Sequence, residues 1–263
     1  MGLLAAFFAA LWFLGRAPFA MLVGAILAGA AREWAALAGL PKWQAVAYAA
    51  GCTLLYGALA WWCWPIDASD MPVHAILLAA LVFWGAVVPA WLALGMASSS
   101  RRLLQPAGFA VLVPAALAMV ALHPGPLLAI LALVWISDTA AYLVGRTFGR
   151  RRLAPTVSPG KTWEGAAGAM LASLAYAVIL ALSMPDIGAH VKGGTWIPYA
   201  AGAAVLCVSG IMGDLFESGV KRQAGVKDSG TLLPGHGGVL DRIDSVCAAL
   251  PIGALLIAWS GTA

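Results

Sequence analysis

The sequence predicts an all-α integral membrane protein, a polytopic helical bundle with about nine transmembrane helices. Three observations predict it. Only 10% of the 263 residues are charged, against roughly 25% in soluble domains. Mean hydropathy is +0.91. Apolar runs long enough to cross a hydrocarbon core of about 30 Å recur between polar breaks, unbroken rather than alternating, which favours helices over a membrane β-barrel.

Nine candidate spans lie near residues 2–15, 17–31, 43–64, 73–97, 105–122, 126–145, 164–184, 197–213 and 245–261. The first two are short for full crossings, so a hairpin of tilted or interfacial helices is the alternative there. The opening "MGLLAAFFAALWFLG" has the length of a signal peptide but no Lys or Arg before Arg16, so it is expected to be retained. Ala6 stands where a myristoylation site has Ser or Thr. Cys52, Cys63, Cys207 and Cys247 lack any C-x-x-C spacing and read as buried packing residues.

Lys and Arg gather on cytoplasmic loops. Arg101 and Arg102 follow the fourth span, Arg146 and Arg150 to Arg152 the sixth, and Lys221, Arg222 and Lys227 the eighth. The alternate breaks at 65–72, 123–126 and 184–196 hold Asp67, Asp70 and Asp186 but only one base, Lys192. One topology satisfies all of these, with the N-terminus inside and the C-terminus outside. The chain divides into N-terminal transmembrane helices, 1–122, and a C-terminal catalytic region, 123–263, with cytoplasmic-face loops at 146–163 and 214–244.

Charge is concentrated in those two loops. Seven of the eleven acidic and nine of the fifteen basic residues fall within 138–164 and 214–244. In "GDLFESGVKR", Asp214, Glu217, Ser218 and Lys221 are spaced i, i+3, i+4 and i+7, which puts them on one face of a helix leaving the eighth span. Asp241 and Asp244 are likewise three apart where the ninth begins. Paired carboxylates at a membrane boundary either solvate a helix end, bridged to Lys221 or Arg242, or serve a site. The glycines of "PGHGG" around His236 read as an ordinary turn or as a backbone cradle for an anion. Lys221, Arg222, Lys227 and Arg242 supply the positive charge that a polyphosphate needs, while the aspartates suit Mg²⁺, which takes one or two carboxylates plus phosphates and waters.

Asp138 lies inside an apolar helix, either as a satisfied structural group or with a metal. "SPGKTWEG" places Ser158, Gly160 and Lys161 before a helix beginning near Trp163, so that a helix N-terminus could face an anion. It fails the Walker A spacing, because Pro155 stands five before Gly160. Arg150, Arg151 and Arg152 are a positive-inside anchor or a patch for anionic headgroups.

The stretch "SGVKRQAGVKDSGTLLPGHGGVLDRIDS", 218–245, resembles the signature of the phosphatidate cytidylyltransferases, also called CDP-diacylglycerol synthases: Ser, two residues, Lys-Arg, then Lys-Asp, Pro-Gly-His-Gly-Gly and Asp-Arg-x-Asp. "SDTAAYLVGRTFGRRRLAPTVSPGKTWEG" is similar to a second region of that family, and "REWAALAGL", 32–40, resembles its early Glu-Trp element. The chain departs from the family pattern in lacking a basic stretch before the first helix and in having Gly160 where many relatives have Asn.

The resemblance implies transfer of the cytidylyl group of CTP to phosphatidic acid, giving CDP-diacylglycerol and pyrophosphate at the cytoplasmic face of the cell (inner) membrane. It implies Asp214 and Asp241 as leading metal ligands with Asp138 and Asp244 in support. Lys161, Lys221, Arg222, Lys227 and Arg242 become phosphate contacts, and Ser158, Ser218 and His236 further polar contacts with substrate. Asp214, Asp241, Lys221 and Arg222 form the catalytic group. Mg²⁺ is the implied cofactor, with a second metal or a monovalent cation as an addition, and a homodimer is the implied assembly. No nucleic-acid partner is expected. A CDP-alcohol phosphotransferase would show Asp-Gly-x-x-Ala-Arg, which is absent. A transporter would hold its carboxylates near the midplane rather than at one face.

Overall fold

The computed structural model describes residues 2–96, 101–232 and 237–260. The chain opens with α1 (Gly2–Phe13), α2 (Arg16–Leu37) and α3 (Lys42–Trp62). Next come α4 (Met71–Val82), a π-helical turn at Phe83–Val87 and α5 (Val88–Leu94), which together make one 24-residue span, Met71–Leu94. Pro89 has no N–H to offer its preceding turn, and the π turn just before it absorbs that gap. There follow α6 (Leu104–Ala121), α7 (Pro124–Phe148), a hairpin of β1 (Arg152–Ala154) and β2 (Ser158–Thr162), α8 (Trp163–Ser183), the short α9 (Pro185–His190), α10 (Trp196–Ala224) and α11 (Leu240–Ser260).

Eight helices among the described residues are long and apolar enough to cross a membrane, one fewer than the nine expected. The exception is α1, whose 12 residues rise only about 18 Å. It packs back on the start of α2 through Phe7 and Phe19, ring centroids 6.1 Å apart. The second span is longer than predicted and runs to Leu37, because Arg32 and Glu33 lower the hydropathy without breaking the helix. Similarly α10 continues to Ala224, ending at Gly225 with φ 75°, a left-handed position that glycine occupies without strain. The predicted loop at 146–163 is partly ordered as the antiparallel hairpin, with Arg152 opposite Thr162 and Ala154 opposite Ser158.

In a bilayer the interior gains little from excluding water, so small residues and close contact hold helices together. Ala248, Ala249, Leu250 and Ala254 of α11 are fully buried where that helix packs on α4, α6, α7 and α10. The outer surface carries exposed Trp61, Trp62, Leu171, Leu182 and Ile197, as a lipid-facing shell should. All four free cysteines are buried, as their sequence context predicts. Breaks in the chain sort to two ends of the bundle. At one end Arg101 Nη2 donates to Gln223 O at 2.7 Å, joining the turn before α6 to the end of α10. The hairpin and Val226, just after α10, meet that same end through Arg222, whose Nε donates to Val157 O and Nη1 to Val226 O, each at 3.4 Å.

Candidate active site

The extension of α10 beyond residue 213 builds the site. Asp214, Glu217, Ser218 and Lys221 share one face, as their spacing requires: Ser218 Oγ donates to Asp214 Oδ1 at 3.4 Å and Lys221 Nζ to Glu217 Oε2 at 2.9 Å. Gly213 lies directly against the backbone carbonyl of Asp244, where a Cβ would not fit. That contact brings α11 close enough to α10 for the acids of both helices to act on one another.

Asp241, in the first turn of α11, is held from all sides. Oδ1 receives Lys221 Nζ at 2.7 Å, and Oδ2 receives the backbone N–H of Ser229 at 3.0 Å and of Gly238 at 2.9 Å, with Ser229 Oγ also at 3.0 Å. Glu217 faces Asp244 across the helix contact, with its Oε1 buried and without a hydrogen-bond partner.

From the other side, β2 delivers Lys161, whose Nζ lies 2.5 Å from Asp214 Oδ2. One hydroxyl and one carboxylate hold this strand in place. Thr162 caps α8, its Oγ1 accepting Gly165 N at 3.1 Å. Glu164 accepts Arg150 N at 3.0 Å and Arg151 N at 3.2 Å, folding the arginine run back over the start of α8. Asp138 of α7 acts electrostatically on Asp214 and Lys161 and lies beside Ser245. Acids and cations from α7, β2, α10 and α11 thus form one continuous cluster running Asp138, Lys161, Asp214, Asp244, Glu217, Lys221, Asp241.

Of the residues expected from sequence, Asp138, Lys161, Asp214, Ser218, Lys221, Asp241 and Asp244 are brought together. Arg222 sits at the rim and ties the hairpin to Val226 O at 3.4 Å. Ser158 opens β2 on the strand that carries Lys161. Lys227 and Arg242 are exposed. His236 lies outside the described residues. Three contributors were absent from the expected set: Glu217, Ser229 and Glu33 of α2. Glu33 is buried and accepts Ser229 Oγ, Val239 N and Leu240 N, each at 3.0 Å. The signal for it was present, since Glu33 is the sole acid in an apolar span.

The donor set suits a hard divalent cation. Asp138, Asp214, Glu217, Asp241 and Asp244 outnumber Lys161 and Lys221, every candidate ligand is oxygen, and one buried carboxylate oxygen lacks a donor. The described residues contain no set of three carboxylate, imidazole or thiolate groups that could by themselves hold a metal ion. Mg²⁺ does not need one, because it keeps waters and takes substrate phosphates as ligands.

The family model described as "Cytidylyltransferase family" matches residues 1–260. A phosphatidate cytidylyltransferase of Pseudomonas aeruginosa is 40% identical over 264 aligned positions, covering 92% of this chain and 88% of that protein. Proteins of the same name from Haemophilus influenzae and Brucella suis are 47% identical over 131 residues and 48% over 118. Those two stretches cover 48% and 45% of this chain, and 43% and 41% of the respective proteins. With a family model spanning nearly the whole chain and a relative alike over nine-tenths of it, this multi-pass membrane protein belongs to the cytidylyltransferase family.

Proposed function

We propose that the protein transfers the cytidylyl group of CTP to phosphatidic acid, yielding CDP-diacylglycerol and pyrophosphate. The observation that carries this reading is the pair of ion contacts, Lys161–Asp214 and Lys221–Asp241, set on neighbouring elements at one end of a membrane bundle. Each pair places an ammonium group beside a carboxylate, the combination needed to hold a metal-bound polyphosphate. Only a site at the membrane boundary is open both to a water-soluble nucleotide and to a lipid phosphate.

In the reaction a phosphate oxygen of phosphatidic acid forms a bond to the α-phosphorus of CTP. The bond from that phosphorus to the oxygen bridging the β-phosphate breaks, and pyrophosphate leaves with the electron pair. No protein nucleophile is needed; positioning and charge neutralisation supply the rate. Lys161 and Lys221 hold the CTP phosphates, with Arg222, Lys227 and Arg242 arranged around the entrance. Asp214 and Asp241 lead the residues that would hold Mg²⁺, with Asp138 and Asp244 in support, and Asp241 also fixes Lys221. When bound, the metal supplies charge neutralisation on the α- and β-phosphates. The site faces the cytoplasm of the inner membrane, because the arginine and lysine clusters lie at that end of the bundle. Resemblance to the family supports a homodimer as the working assembly.

Pyrophosphate release by purified protein in detergent micelles tests the reading, with CTP, phosphatidic acid and Mg²⁺ omitted one at a time. Release is expected only when all three are present. Release without phosphatidic acid, or none with all three, would overturn it.

A further inference from the structure

We infer that Glu33 is a positioning residue for the transfer, a clamp from α2 that fixes Ser229 and the entry to α11 at Val239 and Leu240 and, through Ser229, sets the carboxylate of Asp241. This rests on the proposed reaction. Glu33 is 5% exposed within an apolar helix, where an ionised carboxylate persists only if its lone pairs are filled. They are filled by three donors that lie about two hundred residues away in the chain: Ser229 Oγ and the N–H groups of Val239 and Leu240. Leu240 opens α11 and Val239 immediately precedes it, and neither amide has a partner inside that helix, so Glu33 caps it from another element.

The fit is close. Gly230 and Gly238 lie against the Glu33 carboxyl, and a Cβ on either would collide with it. Next in sequence, Trp34 donates its Nε1 to Leu104 O at 2.7 Å and is 1% exposed, so the turn that carries Glu33 is itself fastened to α6. Ser229 Oγ stands 3.0 Å from both Glu33 Oε2 and Asp241 Oδ2, and its single proton serves one carboxylate at a time. Glu33 therefore competes for the hydroxyl that completes the shell of Asp241, without touching substrate itself.

Replacement by Gln keeps the volume but turns an amide N–H toward the backbone N–H of Val239 or of Leu240. Wild type, Glu33→Gln, Ser229→Ala and the double variant are compared as monodisperse protein, by steady-state kinetics and by hydrogen exchange at the amides of Ser229, Val239 and Leu240. Glu33→Gln is expected to lower kcat at least about tenfold while KM for CTP moves less than about threefold. Exchange should quicken at those three amides, Ser229→Ala should lose less, and the double variant should lose less than the product of the singles. Wild-type kcat in Glu33→Gln, unchanged exchange, or a loss matched by the unfolded fraction would overturn the inference. Should wild type form no CDP-diacylglycerol, the reaction fails and exchange still decides the clamp: protection lost at those amides supports it, protection kept sinks it.

Discussion

The two ends of the helical bundle are built on opposite plans. At the end carrying the acid cluster, polar side chains find partners far away in sequence: Lys161 with Asp214, Lys221 with Asp241, Glu33 with Ser229 and Leu240. At the other end Asp67 satisfies itself locally, taking Ser69 Oγ at 2.6 Å and Ser69 N at 2.8 Å, while His74 Nδ1 meets Ala68 O at 3.2 Å. Longer reaches at that end come from aromatic donors: Tyr56 Oη to Ala20 O and Tyr199 Oη to Ala177 O, each at 3.0 Å, and the exposed Trp259 Nε1 to His74 Nε2 at 3.3 Å. Local pairing makes a turn. Distant pairing fixes helices relative to one another, which is what a site assembled from four elements requires.

That contrast can be tested by disturbing each end in turn. The largest effect is expected from Asp241→Asn, which keeps side-chain volume but loses the charge facing Lys221 and presents an amide to the N–H groups of Ser229 and Gly238. CDP-diacylglycerol formation should fall by at least about a thousandfold while gel filtration still shows folded protein. Near-normal turnover would remove Asp241 from the machinery. Lys161→Met comes next, with kcat/KM expected to drop about a hundredfold through loss of one phosphate contact. Full activity in that variant would mean that the hairpin serves only as a connector. Thr162→Ala removes the cap of α8 and should cost about 1 kcal/mol, seen as a lowered midpoint in a denaturation curve.

The smallest effect belongs to the far end. Asp67→Asn should leave turnover unchanged and alter stability only slightly and in a pH-dependent way. Hydrogen bonds from Ser69 hold the Asp67 carboxyl below the ordinary carboxylate range. Its contribution is therefore present above the unfolded pKa of about 3.9 and lost as pH falls through the lower folded value. Wild type and variant should differ near neutrality and converge in acid; a turnover defect would show that the two ends are coupled.

Hydropathy located every long helix, because a bilayer imposes a length that composition reveals directly. Its errors arose where polar residues sit inside a helix or apolar residues sit in a short one. Arg32 and Glu33 hid the last turns of α2, and the wholly apolar α1 read as a crossing although it is too short to be one. Helical spacing made the shared face of Asp214, Glu217, Ser218 and Lys221 legible, since the 3.6-residue period alone fixes it. Lys161 against Asp214 was not legible in the same way, because the short hairpin that swings Lys161 inward has little strand character in "SPGKT". Glu33 stands out in the sequence only as a lone acid beside Trp34; no local pattern links it to donors at 229 and 239–240.

The Gly213 contact has a consequence for how this site tolerates change. With the α11 backbone resting directly on α10, the separation of the two helices and the separation of Asp214 from Asp244 become a single variable. A lone methyl group at 213 would be felt as a change in charge spacing two atoms' width away, and a tilt of either helix would reach the acid cluster without any intervening side chain to absorb it. Helix geometry is here the ruler by which the carboxylates are set.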